Sequence, residues 1–186
     1  YHYDPRAPTP AVGGTSFNAK NCGEKLRDDF ERERVANGDL VVFTSSPFET
    51  NALIVGNVKC RATVKSSAQS VDIVCRLCRV DGEGHSYNLC DGLERLWDAG
   101  SAHTVEVDLG PTCVLIRKGE RVRLQMTSAA YPRWLRNFNT GNRDIARETE
   151  LGPVAEQQVV VVGSASVSLL RLPTLRSVSG DHAHID

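Results

Sequence analysis

The feature that most constrains this chain is a series of short apolar runs, rich in β-branched residues, that starts at Asp39. In several runs apolar and polar residues alternate, as in Val105, Val107 and Leu109, which predicts strands with one buried face. Turn sequences such as DGEGHS and RKGER separate the runs, and no amphipathic helix of normal length lies between them. The predicted strands are DLVVFT, ALIVGNVKCRATVKSS, VDIVCRLCRV, HTVEVDL, CVLIRKG, RVRLQMTS, QQVVVVG and SVSLLRLP.

Strands that follow one another without crossover helices pair in antiparallel sheets. The chain has 186 residues, 40% of them apolar, which is enough for one domain with its own core. We therefore predict an all-β fold with antiparallel sheets, most simply a β-sandwich or jelly roll, and with a long irregular N-terminal segment.

The chain divides into three parts by its composition. Residues 1–38 are predicted to be a connector and irregular segment packed on the domain, because prolines in YDPRAPTP are followed by Gly13 and Gly14. Within this part, EKLRDDFERER predicts a short charged helix. The jelly-roll domain is expected at 39–176, and a flexible tail at 177–186.

Charge and hydropathy argue against two classes of partner. The formal net charge is -1, whereas nucleic-acid modules usually carry a basic excess, so no nucleic-acid partner is predicted. No apolar run approaches the roughly 20 residues of a membrane helix, so no membrane partner is predicted. The first residues, YHYDPRAPTP, lack the layout of a signal peptide, and we expect a cytoplasmic protein.

The six cysteines do not form a metal-binding or redox pattern. Cys75 and Cys78 form a C-x-x-C inside a predicted strand, where residues three apart point to opposite faces. A matching second pair and a βαβ context are both missing. Free thiols, several of them in the core, are expected in a reducing compartment.

No sequence pattern identifies a catalytic, cofactor or metal site. The G-x-S-x-G elbow of α/β-hydrolases and the phosphate-binding glycine loop are both missing. His182 and His184 in the tail DHAHID could converge on a cation, but a solvated tail is the simpler interpretation. The acids of RVDGEGHSYNLCDG lack EF-hand spacing, which favours a hairpin turn. We therefore predict no cofactor.

The stretch PRWLRNFNTG, residues 132–141, is polar yet contains a tryptophan and two arginines. We expect the preceding strand to end at Pro132, which cannot donate to a ladder. Asn137 and Asn139 suit tight turns, and the arginines can hold carbonyls or carboxylates. Trp134 is interpreted as a plug over a sheet edge, although a ligand-binding face with Trp97 and Tyr131 is an alternative.

Five stretches in order carry a resemblance: YDPRAPTPAVGG, DLVVFTSSPFETNALIVGNVKCRATVKSS, VDIVCRLCRVDGEGHSYNLCDG, CVLIRKGERVRLQMTSAAYPRWLRNFNTG and SLLRLP. Together they resemble the C-terminal domain of the X-Pro dipeptidyl-peptidase and cocaine-esterase-like (CocE/NonD) serine hydrolases. Two departures are Arg79, where relatives usually carry an acid, and Gly82, where they often have proline. The first puts in doubt the pairing that this acid makes.

The resemblance implies a non-catalytic jelly-roll β-sandwich, galactose-binding-domain-like, that packs on an α/β-hydrolase domain and a helical cap of the same parent protein. It would help to wall the active-site cleft. A homo-oligomer is left open. The residues expected at the domain interface or the corner are Asp4, Pro5, Arg6, Pro132, Arg133, Trp134, Arg136, Asn137, Asn139 and Thr140.

Two alternatives stand beside this hypothesis. A stand-alone carbohydrate-binding β-sandwich rests on fold analogy, and an exposed aromatic platform beside calcium would favour it. A self-contained hydrolase would need a Ser–His–Asp triad that the sequence does not reveal. An exposed apolar patch around the N-terminal connector would favour the domain of a larger hydrolase.

Overall fold

The structure, a computed structural model, describes residues 1–14, 35, 37–144, 157–168 and 171–173, the last two ranges as backbone only. The helix predicted at 24–34 and the tail at 177–186, with its histidines, lie outside the described residues. The same is true of Cys22.

The described residues form nine β-strands. They are β1 (His2–Tyr3), β2 (Val41–Thr44), β3 (Ala52–Ser66), β4 (Ser70–Val80), β5 (Ser86–Trp97), β6 (His103–Ile116), β7 (Arg121–Thr127), β8 (Gln157–Ser168) and β9 (Arg171–Pro173). Strand β1 lies within the N-terminal segment, which was predicted to be irregular.

The strands build two antiparallel sheets. One has the order β1-β8-β3-β6, with β9 also paired to β3, and the other has the order β2-β7-β4-β5. All pairings between these strands are antiparallel. The prediction of an all-β, antiparallel sandwich is confirmed.

The core lies between the two sheets and follows the alternation in the sequence. Val105, Val107 and Leu109 of β6 are buried, as predicted, and face buried residues of the second sheet such as Leu124 and Met126. Strand β4 is buried almost throughout because both of its faces are covered. In the first sheet, by contrast, alternate residues of β3 and β6 are exposed or half-buried, so one side of that sheet faces solvent.

The cysteines of β4 lie where the strand geometry predicted. Cys75 belongs to the main core with Cys60, whereas Cys78 is buried outside that cluster. The hydrogen bond with the neighbouring Cys60 thiol, together with burial, raises the pKa of Cys75, so this thiol stays protonated at neutral pH. Among the described cysteines none takes part in a disulfide.

Strand β5 was not predicted, because its sequence SYNLCDGLERLW mixes charged residues with apolar ones. The reason is visible in the register: Arg95 lies opposite Asp72, and Asp91 lies opposite Arg76. Opposite charges on facing positions of β4 and β5 pair with each other, so these charged side chains are internal rather than solvent-facing.

The prediction of two strands at HTVEVDL and CVLIRKG was wrong, since β6 runs without a break from His103 to Ile116. Gly110 and Pro111 lie between the two predicted segments. Gly110 has a φ of 81°, and its N–H donates to Asp108 Oδ1 at 2.8 Å. The register with β3 shifts at this point. The strand therefore contains a bulge rather than an end.

Candidate functional site

Residues 132–141, called the corner from here on, follow the last core strand of the second sheet. That strand ends at Thr127 and not at Pro132, so the predicted boundary was wrong by several residues. From Ser128 the chain leaves the sheet and pairs with the N-terminal segment instead. Tyr131 donates its N–H to Thr9 O at 2.9 Å and accepts from Ala11 N at 2.7 Å.

The N-terminal segment, residues 1–14, binds the corner through Tyr3 and Pro5. The Tyr3 hydroxyl donates to the carbonyl oxygen of Asn137 at 3.2 Å, and Arg136 Nη1 donates to the carbonyl oxygen of Pro5 at 3.2 Å. Burial raises the pKa of Tyr3, so its hydroxyl remains a donor at neutral pH. The structure therefore brings Pro5 and Arg136 together.

The side chains of Asp4 and Arg6 form a local ion pair within the N-terminal segment. Arg6 Nε lies 2.8 Å and Nη2 2.9 Å from the Asp4 carboxylate oxygens. The guanidinium holds the pKa of Asp4 below its usual value. This pair stabilises a local turn, in which Ala7 N–H donates to Asp4 O at 3.0 Å.

Asn137 attaches the second half of the corner to the start of β4. Its Oδ1 accepts from Ser70 Oγ at 3.1 Å and from Asn139 N at 2.8 Å, and its Nδ2 donates to Asp72 Oδ1 at 3.1 Å. The side chain is buried, and Asp72 is also held by the guanidinium of Arg95, with Nη2 2.7 Å from Oδ2. The amide therefore completes a buried network with no additional charge.

Backbone geometry closes the corner. Asn139 has a φ of 66°, the left-handed region that asparagine tolerates. Gly141 has a φ of 77°, and a Cβ there would run into the side chain of Gln69. Thr140 Oγ1 accepts from Asn142 N at 3.1 Å. These residues define a turn with little tolerance for larger side chains.

Arg133 joins a second buried charge network. Its Nη2 lies 3.0 Å from Asp91 Oδ1, while Arg76 Nη2 lies 2.7 Å from Asp91 Oδ2. The side chains of Arg76 and Asp91 are both 3% exposed, against 21% for Arg133. One carboxylate therefore meets two guanidinium groups, and this network carries a formal charge of about +1.

Trp134 packs on a small apolar cluster beside this network. It contacts the cluster of Ala11, Val74 and Ala130, as does Leu93, and the Arg133 guanidinium lies 4.5 Å from its ring centre. Pro132 and Leu135 on either side are exposed. The corner thus has an inward half at Asn137 and an outward half at Arg133, Trp134 and Leu135.

Four residues of these networks were not predicted: Asp72, Arg76, Asp91 and Arg95. A signal was present, since VDIVCRLCRV places charged residues inside an apolar run. Arg79, where the resemblance led us to expect an acid, lies 3.1 Å from Glu120 Oε1 and 4.8 Å from the ring centre of Tyr87. The departure from the family pattern is therefore accommodated by a local partner.

The corner presents amides, guanidinium groups and aromatic rings, which suit recognition rather than bond cleavage. Within the described ranges, no group of three His, Cys, Asp or Glu residues is placed to hold a metal ion. His103 Nε2 meets Ser101 Oγ at 2.9 Å, but the same nitrogen lies 3.1 Å from the carbonyl oxygen of Asp98. This exposed contact closes a turn of the chain. No helix in the described part is long and apolar enough to cross a membrane.

The fold and the corner together define an antiparallel β-sandwich domain. Its N-terminal segment is hydrogen-bonded to Tyr131, which follows β7, and to the corner. Over residues 2–170 the chain matches the family described as the X-Pro dipeptidyl-peptidase C-terminal non-catalytic domain. It belongs to this family, and the resemblance stated from the sequence is confirmed.

A curated relative agrees with this assignment. The chain is 31% identical over 161 residues to the cocaine esterase of Rhodococcus sp. (strain MB1 Bresler), a match covering 80% of this chain and 27% of the relative. The chain therefore spans about a quarter of the length of this relative.

Solved structures show the same fold. An aminopeptidase from a marine sediment Thaumarchaeota archaeon superposes with a TM-score of 0.76 at 14% identity, covering 93% of this chain and 33% of that one. An α-amino acid ester hydrolase gives 0.72 at 18% identity, covering 92% and 32%. A CocE/NonD family hydrolase from Staphylococcus aureus gives 0.52 at 14%, covering 72% and 30%. The family match does not favour a stand-alone carbohydrate-binding module.

Proposed function

We propose that this chain is the C-terminal accessory domain of a serine acyl hydrolase, of the X-Pro dipeptidyl-peptidase or esterase type. The domain packs on the α/β-hydrolase domain and the helical cap of the same parent protein and helps to shape the active-site cleft. The observation that carries this proposal is the match of residues 2–170 to a family described as non-catalytic.

The size of the relatives supports a larger parent protein. The chain covers 27% of the cocaine esterase and 33% of the aminopeptidase, so in each relative about two thirds lie outside the matched part. The three named hydrolases act, by their descriptions, on esters or peptides. Acyl transfer to water is the reaction class they share, and the missing two thirds would supply its nucleophile, base and acid.

The domain limits follow from the same proposal. Residues 1–38 serve as the connector from the hydrolase part, 39–176 as the β-sandwich, and 177–186 as a tail. The hydrogen bonds from Tyr3, Thr9 and Ala11 support a connector packed on the domain. The exposed thiol of Cys113 fits the reducing environment of the cytoplasm, where we place the protein.

The experiment that tests the function compares this chain with its intact parent protein. Each is incubated with an activated acyl ester and with an X-Pro anilide, at high concentration and against a heat-inactivated control. We expect turnover by the parent alone, abolished by a serine-directed phosphonate that labels a residue outside 1–186. Phosphonate-sensitive turnover by this chain alone would overturn the proposal, and so would a parent without hydrolase activity.

A further inference from the structure

A groove of about 790 Å³ lies between the middle of β5 and the bulged part of β6. Its walls run from Asn88 to Leu93 and from Asp108 to Val114, and Gly14, Arg133 and Trp134 add to the lining. Small-molecule sites in proteins usually have volumes of about 300–1,000 Å³. The groove therefore has the size of a binding site for a small organic molecule.

The strand edge in the groove is irregular. Glycine at position 92 lets β5 approach β6 closely, since a Cβ there would collide with the backbone carbonyl of Asp108. Strand β6 then carries the bulge at Gly110, followed by Pro111, which has no N–H to donate. An added peptide strand needs a regular row of donors and acceptors. The groove therefore suits a small molecule better than an extended chain.

The guanidinium of Arg133 supplies positive charge to the groove. Asp91 faces two guanidinium groups, with Arg133 Nη2 at 3.0 Å and Arg76 Nη2 at 2.7 Å, so the three side chains carry a net charge of about +1. Arg76 and Asp91 are buried, whereas Arg133 is partly exposed. An anion beside Arg133 would offset the excess charge, and a planar guanidinium matches the geometry of a carboxylate.

The carboxylate of Asp108 supplies negative charge on the β6 wall. Its side chain is exposed, and its Oδ1 accepts from Gly110 N at 2.8 Å. A carboxylate has about four lone-pair sites, so this bond leaves it able to accept from a cationic donor. The nearby Lys59 pairs with Glu106, at 2.7 Å. Charges of both signs favour a ligand that carries both rather than a simple anion.

The groove also presents apolar surface. Leu89, Leu93, Val114 and Trp134 line it, and all four are half-buried, so a ligand can remove their remaining surface from water. The Arg133 guanidinium lies 4.5 Å from the ring centre of Trp134. A cation and an apolar surface therefore lie side by side, as a ligand with a carboxylate next to an apolar group requires.

We propose that this groove binds a small zwitterion with an apolar side chain, which is a free apolar amino acid or a short apolar peptide. Its carboxylate lies beside Arg133, its ammonium group beside Asp108, and its side chain against Leu93 and Trp134. The inference is independent of the proposed function, because each element of the site is a residue of the groove itself.

A series of ligands tests the three elements one by one. Isothermal titration calorimetry compares L-leucine and L-leucyl-L-leucine with N-acetyl-L-leucine, which lacks the ammonium group, with L-leucinamide, which lacks the carboxylate, and with glycine, which lacks the side chain. We expect at least one of the two zwitterions to bind this chain with a Kd below about 1 mM. Each truncated ligand should bind at least about tenfold more weakly.

Two results of this series would overturn the proposal. The first is the absence of saturable binding for both zwitterions. The second is equal binding of N-acetyl-L-leucine and L-leucine, which would identify the ligand as a carboxylate with an apolar tail.

Substitutions assign the charges, each with a matched control. Asp108→Asn should weaken L-leucine at least about tenfold and abolish its advantage over N-acetyl-L-leucine, whereas Glu106→Gln, an exposed acid outside the lining, should not. Arg133→Gln should weaken every ligand with a carboxylate, whereas Arg117→Gln, which is 67% exposed, should not. Unchanged binding in Asp108→Asn or in Arg133→Gln would overturn the site. If Arg133→Gln does not fold, Asp108→Asn and the ligand series still decide.

A native thiol locates the bound ligand. Cys113 lines the groove and is exposed, whereas burial raises the pKa of Cys90, the other lining thiol, to about 12 and keeps it unreactive at neutral pH. Saturating L-leucine should slow the alkylation of Cys113 by iodoacetamide at least about threefold, measured by peptide mapping. Saturable binding without protection of Cys113 would place the ligand elsewhere and overturn the inference.

Discussion

Strands β4 and β5 are joined by two buried ion pairs, one with its acid on β4 and the other with its acid on β5. Asp72 on β4 meets Arg95 on β5, and Asp91 on β5 meets Arg76 on β4. The corner adds one group to each pair, a neutral amide to the first and a guanidinium to the second.

The difference between the two networks lies in charge and exposure. Asn137 is buried and leaves the Asp72 network neutral. Arg133 is 21% exposed and leaves a net positive charge on the Asp91 network. A corner built from one sequence motif therefore attaches itself to the sandwich at one end and presents a charged surface at the other.

The largest effect is expected when Asp91 is removed. In Asp91→Ala, Arg76 stays buried with its charge uncompensated, and we expect the free energy of unfolding to fall by about 3–5 kcal/mol. Urea unfolding of the isolated chain measures the change. Glu106→Ala, which breaks the exposed pair with Lys59, is the matched control and should cost less than about 1 kcal/mol. Equal losses in the two variants would contradict the buried role of Asp91.

The Asn137→Ala substitution tests the neutral network. Ser70, Asn139 and Asp72 each lose a hydrogen-bond partner, so the free energy of unfolding should fall by about 2 kcal/mol. Asn142→Ala, which removes an exposed acceptor for Asp144 N, is the control and should have a much smaller effect. If both variants unfold at the same urea concentration, the corner is not held through Asn137.

Substitution of Arg133 by glutamine replaces the guanidinium beside Asp91 with a neutral amide, which is the group that Asn137 provides beside Asp72. Asp91 keeps Arg76, so Arg133→Gln should lower the free energy of unfolding by only about 1 kcal/mol, measured in the same urea series. A loss as large as that of Asp91→Ala would show that Arg133, rather than Arg76, compensates the carboxylate.

The smallest effect on stability is expected at Leu135, in the outward half of the corner. Leu135 is 71% exposed, so Leu135→Asp should change the free energy of unfolding of the isolated chain by less than about 0.5 kcal/mol. Thermal unfolding followed by circular dichroism measures it. A clear loss of stability would mean that residue 135 packs within this chain, and the comparison between inward and outward halves would fail.

Much of the fold was predictable because burial on one face leaves an alternating pattern. Val105, Val107 and Leu109 show it, and β6 formed where they predicted a strand. Strand β5 was not predicted because Asp91 and Arg95 pair with opposite charges on the neighbouring strand. The pattern of residues within one strand does not reveal its register with the next.

The corner was predictable in part. Turn chemistry correctly suggested that Asn137 holds local backbone, since its Oδ1 accepts from Asn139 N. It also correctly suggested that Asn139 suits a tight turn, since its φ is 66°. The partners Asp72 and Asp91 lie more than 40 residues away in the chain, and their proximity depends on how the two sheets and the corner pack. The role of the corner at a domain interface stays a prediction.

The first eleven residues touch both sheets. Strand β1 pairs with β8 in one sheet, while Thr9 Oγ1 lies 2.8 Å from Thr127 Oγ1 at the end of β7 in the other. A tension applied at the N-terminus is therefore resisted by hydrogen bonds in both layers and by those to Tyr131. Such an attachment transmits torque, so the sandwich would turn with whatever precedes it instead of swinging on a hinge.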